Sequence, residues 1–344
     1  MQIFKFGGAS LKDAQGIERV GSIIKQYQNE HLVIVVSAMG KTTNALEWVY
    51  QYYIENNIQK YDALQEVKIF HFNILKSLFK LTDEVYLDIQ MLFNELEHKI
   101  NTPPSEQIDF EYDQIVSYGE IISSKIVEKY LRSIGVDIYW KDIRSLLITD
   151  SNYKEANVLF DISTPKIKDC FNSKAIYICQ GFIGGTEKGN YTTLGREGSD
   201  YTAAALAYML DAESVTIWKD VPGVLNADPR IMPEAIKLDT ISYKEAIELA
   251  YYGAQVIHPK TIKPLQNKNI PLLVKPFLAP SEPGTIVQNI TEKLSLPPIY
   301  IYKYHQVLVS IMPKDFSFIA EENMSLIFRH LADQKIKVNL MQQS

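Results

Sequence analysis

The segment TTLGREGSDYTAAALAYML (Thr192–Leu210) gathers Arg196, Glu197, Ser199 and Asp200 in a loop with two glycines, then turns into an apolar helix. An arginine so placed can clamp a carboxylate with two parallel hydrogen bonds. A helix start offers free N–H groups to an anion. Three more loops carry related chemistry. KFGGAS (Lys5–Ser10) follows a strand-like run, and Gly7 and Gly8 let backbone N–H groups approach an anion while Lys5 projects into the same space. SAMGKTTN follows a second such run and supplies Ser37, Thr42, Thr43 and Asn44. SYGE opens a helix with Glu120, an acid able to hold an ammonium.

Each loop has a plainer reading by itself: a tight turn with a surface lysine, a polar helix cap, a carboxylate satisfying a helix dipole. Together they describe a ligand. Arg196 takes a carboxylate, Glu120 an ammonium, Ser37 and Thr43 offer hydroxyls, and Lys5 with the Gly7 and Gly8 amides takes phosphate oxygens. An amino acid receiving a phosphoryl group fits all of these. Competing nucleotide motifs fail. Gly40-Lys41-Thr42 ends like a P-loop, but Val35 stands where its leading glycine belongs. No GxGxxG follows the first strand, and the protein-kinase loop signatures are absent.

The elements that must position these loops alternate. QIFKFGG, HLVIVVSAM, VDIYWKD, AIYICQGF and SVTIWKDV read as strands, and their unbroken apolar runs suit strands covered on both faces. Helices are expected between them, among them 117–132, ending before Gly135, and 199–210. The order predicts an α/β three-layer sandwich with a mostly parallel central sheet. Residues 44–100 depart from it: Leu64, Val67, His71, Leu75 and Leu78, then Val85, Ile89, Leu92, Phe93 and Leu96, recur at helical steps. This predicts an insertion of two or three helices, broken near Asn56–Asn57 and Leu81–Thr82, with His71 packed inside. Five prolines between Lys275 and Ile299 mark a domain edge. Strand (300–312), helix (about 320–333) and strand (335–341) are expected beyond it, a piece too small to bury its own core.

Composition narrows the setting. Of 344 residues, 46% are apolar and 22% charged, as in soluble globular proteins, and a net charge of −6 argues against a nucleic-acid partner. The two cysteines, Cys170 and Cys179, lack metal or disulfide spacing, so no protein metal site is expected and a reducing, cytoplasmic location is. The longest apolar stretch is too short to span a bilayer, so no membrane partner is expected.

KFGGAS, SAMGKTTNAL, VSYGE, QGFIGG, TTLGREGSDYTAA, WKDVPGVLNADPR and YGAQVIHPKTI, in this order, resemble the aspartokinases of the amino acid kinase family over about residues 1–290. The end, SIMPKDFSFIAEENMSLIFRHLADQKIKVNLMQQS, resembles the opening β-α-β of an ACT regulatory domain and suggests a partial ACT-like unit over 298–344. The resemblance implies the reaction ATP + L-aspartate → ADP + 4-phospho-L-aspartate with Mg²⁺, and a homodimer for the full-length protein. It assigns Lys5, Phe6, Gly7, Gly8 and Ser10 to the ATP phosphates, with Lys5 stabilising transferred charge and Asp200 orienting that lysine or a magnesium-bound phosphate. It places Lys219, Asp220, Leu225, Arg230, Gln255 and Val256 along the nucleotide. Ser37, Thr43, Glu120, Phe182, Arg196 and Ser199 fall to aspartate.

Four positions depart from the pattern. Ala9 stands where threonine is usual, Glu197 for glycine, Leu225 for tyrosine and Gln255 for lysine. Glu197 brings a negative charge that is unfavourable beside a triphosphate unless it points away or meets a cation. A family member with another acceptor, or a non-catalytic amino-acid sensor, remains an alternative at this point.

Overall fold

The computed structural model describes residues 1–252, 257–291, 296–302, 304–312, 321–334, 336, 338 and 340–342. Strand β1 (Gln2–Phe6) runs into a 3-10 turn (Gly8–Leu11), helix α1 (Ala14–Lys25) and β2 (Leu32–Val36). Four helices follow: α2 (Thr42–Ile54), α3 (Gln59–Leu78), α4 (Val85–Asn101) and α5 (Ile108–Val116). Then come α6 (Tyr118–Ser133), β3 (Ile138–Trp140), α7 (Phe160–Cys170) and β4 (Ile176–Gln180). A short hairpin of β5 (Ile183–Gly185) and β6 (Tyr191–Thr193) leads to α8 (Gly198–Met209) and β7 (Ser214–Lys219). The remaining elements are β8 (Thr240–Ser242), α9 (Tyr243–Tyr252), α10 (Pro259–Lys268), β9 (Leu272–Pro276), β10 (Thr285–Gln288) and α11 (Glu321–Asp333).

Eight strands form one sheet in the order β3-β4-β2-β1-β7-β9-β10-β8, and every neighbouring pair is parallel except β9 with β10. Helices cover both faces. Phe4, Phe6, Ile34 and Val36 face a core built with α1 to α6, whereas Ile3, Val33, Val35 and Ile217 face one built with α7 to α10. The three layers anticipated from the strand–helix order are therefore present.

The insertion breaks at the expected places, since α2 ends at Ile54 and α3 at Leu78. His71 is fully buried, its ring bonded to Val67 O at 2.8 Å. Cys179 is buried in β4, as its apolar run suggested. The C-terminal expectation is met in part. Helix α11 forms with no buried residue, but the described residues of 300–312 carry no strand, and Val307 and Leu308 stay exposed. A strand needs a neighbour for its N–H and C=O groups, and no described strand pairs with this segment. Of 335–341, residues 335, 337 and 339 lie outside the described residues, and the others carry no strand.

One buried acid fixes the hairpin that leads to α8. Asp113 of α5 accepts from Thr193 N (2.9 Å), Thr193 Oγ1 (2.7 Å) and Lys154 N (3.1 Å). Asp113→Ala strands those donors and is expected to cost about 2–4 kcal/mol, because buried unpaired groups carry their full desolvation penalty. Urea titration checks this by a lowered midpoint at unchanged slope.

Candidate active site

Strand alternation decides which way the site lysines point. Lys5 shares its parity with Ile3, and Lys219 with Val215 and Ile217, so both lie on the face covered by α8. That helix is unusually thin, with Ala203, Ala204, Ala205 and Ala207 all buried. Its first turn sets Asp200 between the lysines: Asp200 Oδ1 is 2.7 Å from Lys5 Nζ, and Oδ2 is 3.7 Å from Lys219 Nζ. Burial opposes the charge on Asp200, but the two ammoniums outweigh it and hold its carboxyl below the ordinary value. The two lysines meet on Asp200 at the carboxyl ends of β1 and β7.

The glycine turn closes around this charge. A Cβ on Gly7 would lie 3.2 Å from Lys5 Nζ. A Cβ on Gly8 would meet backbone, at 2.7 Å from Ala38 O and 2.8 Å from Gly40 O. Gly40 N donates to Gly8 O at 3.0 Å, and Ser37 N to Phe6 O at 3.1 Å, so the loops after β1 and β2 interlock. Parallel register brings this about, because Phe6 pairs with Val36 and Val36 with Gln180, and three strands end at one level.

Glu120 borders the same loops from the first turn of α6. Its Oε1 accepts from Ala38 N at 3.3 Å, while Oε2 is buried without a hydrogen-bond partner among the described residues. Burial pushes this carboxyl up to about 8, against the smaller opposing effect of the Ala38 N–H. A buried oxygen with no partner suits an incoming donor, and an ammonium fits that need.

The other expected residues divide. Thr43 and Ser37 are half-buried, and the Ser37 carbonyl accepts from Ser123 Oγ at 2.7 Å. Ser199 packs on Gly181, where a Cβ would come within 2.6 Å of the serine Cβ. Phe182 adopts a left-handed backbone (φ +67°), and its N donates to Thr202 Oγ1 at 3.0 Å. Arg196 is exposed and makes no ion pair among the described residues.

Ser10 is buried in the 3-10 turn, its N donating to Gly7 O. The Phe6 ring stacks on Trp218 in the core, so only its backbone could reach a ligand. Asp220 is exposed, Leu225 forms a bridge with Lys237, and Arg230 lies in solvent, paired with Asp228 at 2.6 and 3.0 Å. These three sit on the β7–β8 connection, and no described contact joins them to Lys5. Gln255 and Val256 lie outside the described residues.

Glu197 reaches the start of α10. Its Oε2 accepts from His258 N at 2.8 Å, at the positive start of α10. It meets a helix end rather than a cation. The partners of this contact, and Asp113, were not singled out from the sequence. The pair His258-Pro259 does carry a helix-start signal, proline at the first helical position. A buried aspartate in α5 carries none.

Residues 1–276 match the amino acid kinase family. Lysine-sensitive aspartokinase 3 of Escherichia coli is 31% identical over 98% of this chain and 75% of its own length. The chloroplastic aspartokinase 1 of Arabidopsis thaliana is 34% identical over 83% of this chain, which spans 51% of that relative. The crystal structure of E. coli aspartokinase III with lysine and aspartate superposes with a TM-score of 0.83 at 29% identity, covering 100% of this chain and 77% of that one. The form with aspartate and ADP gives 0.80 at 29% identity, covering 100% and 76%. The chain belongs to the aspartokinases.

In this aspartokinase chain Glu120 leaves a thermodynamic signature. Its carboxyl sits near 4.5 when unfolded and about 8 when folded, so between those values the folded protein holds a proton the unfolded chain has released. Its contribution to stability therefore falls as pH rises through that window. Glu120→Gln is expected to gain melting temperature relative to the unsubstituted protein between about pH 5 and pH 8.5. A difference independent of pH would mean the buried group is already ionised.

Proposed function

We propose that this chain transfers the γ-phosphoryl group of ATP to the side-chain carboxylate of L-aspartate, giving ADP and 4-phospho-L-aspartate. The observation that carries this reading is one sheet edge with two opposite ends. The positive Lys5–Asp200–Lys219 cluster stands beside the glycine turn, and the unsatisfied Glu120 oxygen lies one loop away. The E. coli relative binds aspartate and ADP together, which suits this pairing of ends.

The acceptor carboxylate, with an ordinary pKa of ~3.9, attacks without a general base. The obstacle is repulsion between two anions, and the chain's residues act on it by position and charge. Lys5 and the amides of Gly7 and Gly8 neutralise the transferring phosphoryl oxygens, and Asp200 holds Lys5 in place. Glu120 takes the aspartate ammonium, Arg196 its α-carboxylate, and Thr43, Ser37, Phe182 and Ser199 line the remainder. Lys219 sits at the nucleotide end, with Asp220, Leu225 and Arg230 further along it.

Among the described residues no group of three or more acids, histidines or cysteines could hold a metal. Mg²⁺ would be held by phosphate oxygens and water, where it neutralises phosphate charge. We assign residues 1–290 to the catalytic unit and 298–344 to a partial ACT-like unit, with homodimerisation in the full-length protein and a cytoplasmic location. No described helix is long and apolar enough to cross a membrane.

Coupled ADP-release kinetics test the reading. Lys5→Ala is expected to lower kcat by about 10²–10³, the scale for one preorganised electrostatic donor. Arg196→Lys loses the two-bond clamp, and the aspartate KM is expected to rise roughly tenfold with kcat little changed. Aspartate binding near pH 7 is expected to release a proton, because an ammonium beside Glu120 favours its ionised form. Calorimetry in buffers of different ionisation enthalpy measures that release. A non-catalytic sensor would bind aspartate and form no ADP.

A further inference from the structure

Arg196 has to present its guanidinium at a set place, yet no described side chain pairs with it. Its position must come from its backbone. Two links hold that backbone, and both run to the start of α10. Glu197 Oε2 accepts from His258 N at 2.8 Å. Lys260 Nζ donates to Leu194 O at 3.0 Å and lies 4.7 Å over the Tyr201 ring. The receiving end is itself fixed, since His258 Nδ1 accepts from Lys260 N at 3.1 Å and caps the helix.

Glu197 holds this contact in a left-handed conformation (φ +53°) that glycine adopts without cost and glutamate does not. A side chain retained against that cost needs a use. Gly198 N donates to Gly195 O at 3.0 Å and Tyr201 N to Glu197 O at 3.1 Å, so Glu197 is also the joint between the loop and α8.

We propose that Glu197 is a positioning residue for aspartate recognition: it bolts the Arg196 loop to the start of α10 and so aims the carboxylate clamp. The inference rests on the aspartate kinase reading above. Glu197 touches neither substrate in this account. It acts through Arg196, and its effect belongs in aspartate affinity rather than in phosphoryl transfer.

Three substitutions at this residue separate link, charge and strain. Glu197→Gln keeps an acceptor for His258 N and removes the charge. Glu197→Ala removes the link and keeps most of the strain. Glu197→Gly removes both, and it gives a folded variant should Glu197→Ala be unstable. Steady-state kinetics are expected to show the aspartate KM raised roughly fivefold in the Ala and Gly variants, the scale of one lost hydrogen bond. The kcat and ATP KM should stay within about twofold, and the Gln variant should stay near the unsubstituted protein. A Gly variant with unchanged aspartate KM overturns the proposal, as does a Gln variant as impaired as Ala, or losses confined to kcat. If the unsubstituted protein forms no ADP with aspartate, the functional reading fails instead, and aspartate affinity by calorimetry still decides whether Glu197 aims the clamp.

Discussion

The ion pair between Lys5 and Asp200 is the constraint around which the site is built. Both groups are almost fully buried, and a buried charge stripped of its partner is strongly destabilising. Several features follow from that requirement. Lys5 must take the parity of β1 that faces α8. The helix must come close enough for an aspartate in its first turn, which its alanines permit. Residue 7 must leave the ammonium uncovered on its outer side, and a side chain there would begin 3.2 Å from the nitrogen. Lys219 then lies 3.7 Å from the second oxygen of Asp200. Such an arrangement costs stability in the empty protein and is worth most when an anion arrives.

Much of this geometry was legible before the fold was known. The apolar runs through Ile3–Phe6 and Leu32–Val36 could only be strands covered on both faces, and loops after parallel strands gather at one edge. The three-and-four spacing through Leu64–Leu78 and Val85–Leu96 gave the insertion helices and even their breaks. What escaped has physical reasons. The β5–β6 hairpin and β8 are three residues per strand, too short for a period to register. The β9–β10 pair reverses direction in a proline-rich stretch that read as a domain edge. Asp113 looks like any polar residue on a helix, since its partners lie 41 and 80 residues away.

Residue-level assignments show the same division. Lys5, Glu120 and Asp200 could be singled out because glycines mark the loops nearest them, and the structure pairs Lys5 with Asp200 and sets Glu120 against Ala38 N. Phe6 was readable only as a neighbour of the turn, and its ring belongs to the core against Trp218. Glu197 shows the opposite case. As a sequence departure it suggested a misplaced charge, and only its contact with His258 N gives that charge a location.

The two ends of the site treat charge in opposite ways, and this bears on how an anionic acceptor can approach an anionic donor. Asp200 stays ionised because two ammoniums outweigh its burial, so the phosphate end keeps a fixed field. Glu120 has no such neighbour among the described residues, and burial pushes its carboxyl up to about 8. On the proposed reading, a neutral Glu120 adds no negative charge to repel aspartate, whose own net charge is negative. In that reading ionisation of Glu120 is deferred to the moment an ammonium settles against it, and an acceptor lacking that ammonium would gain nothing from the buried oxygen. On the proposed function one acid would thus avoid repelling the right substrate and withhold its contact from a wrong one, through burial rather than through any additional group.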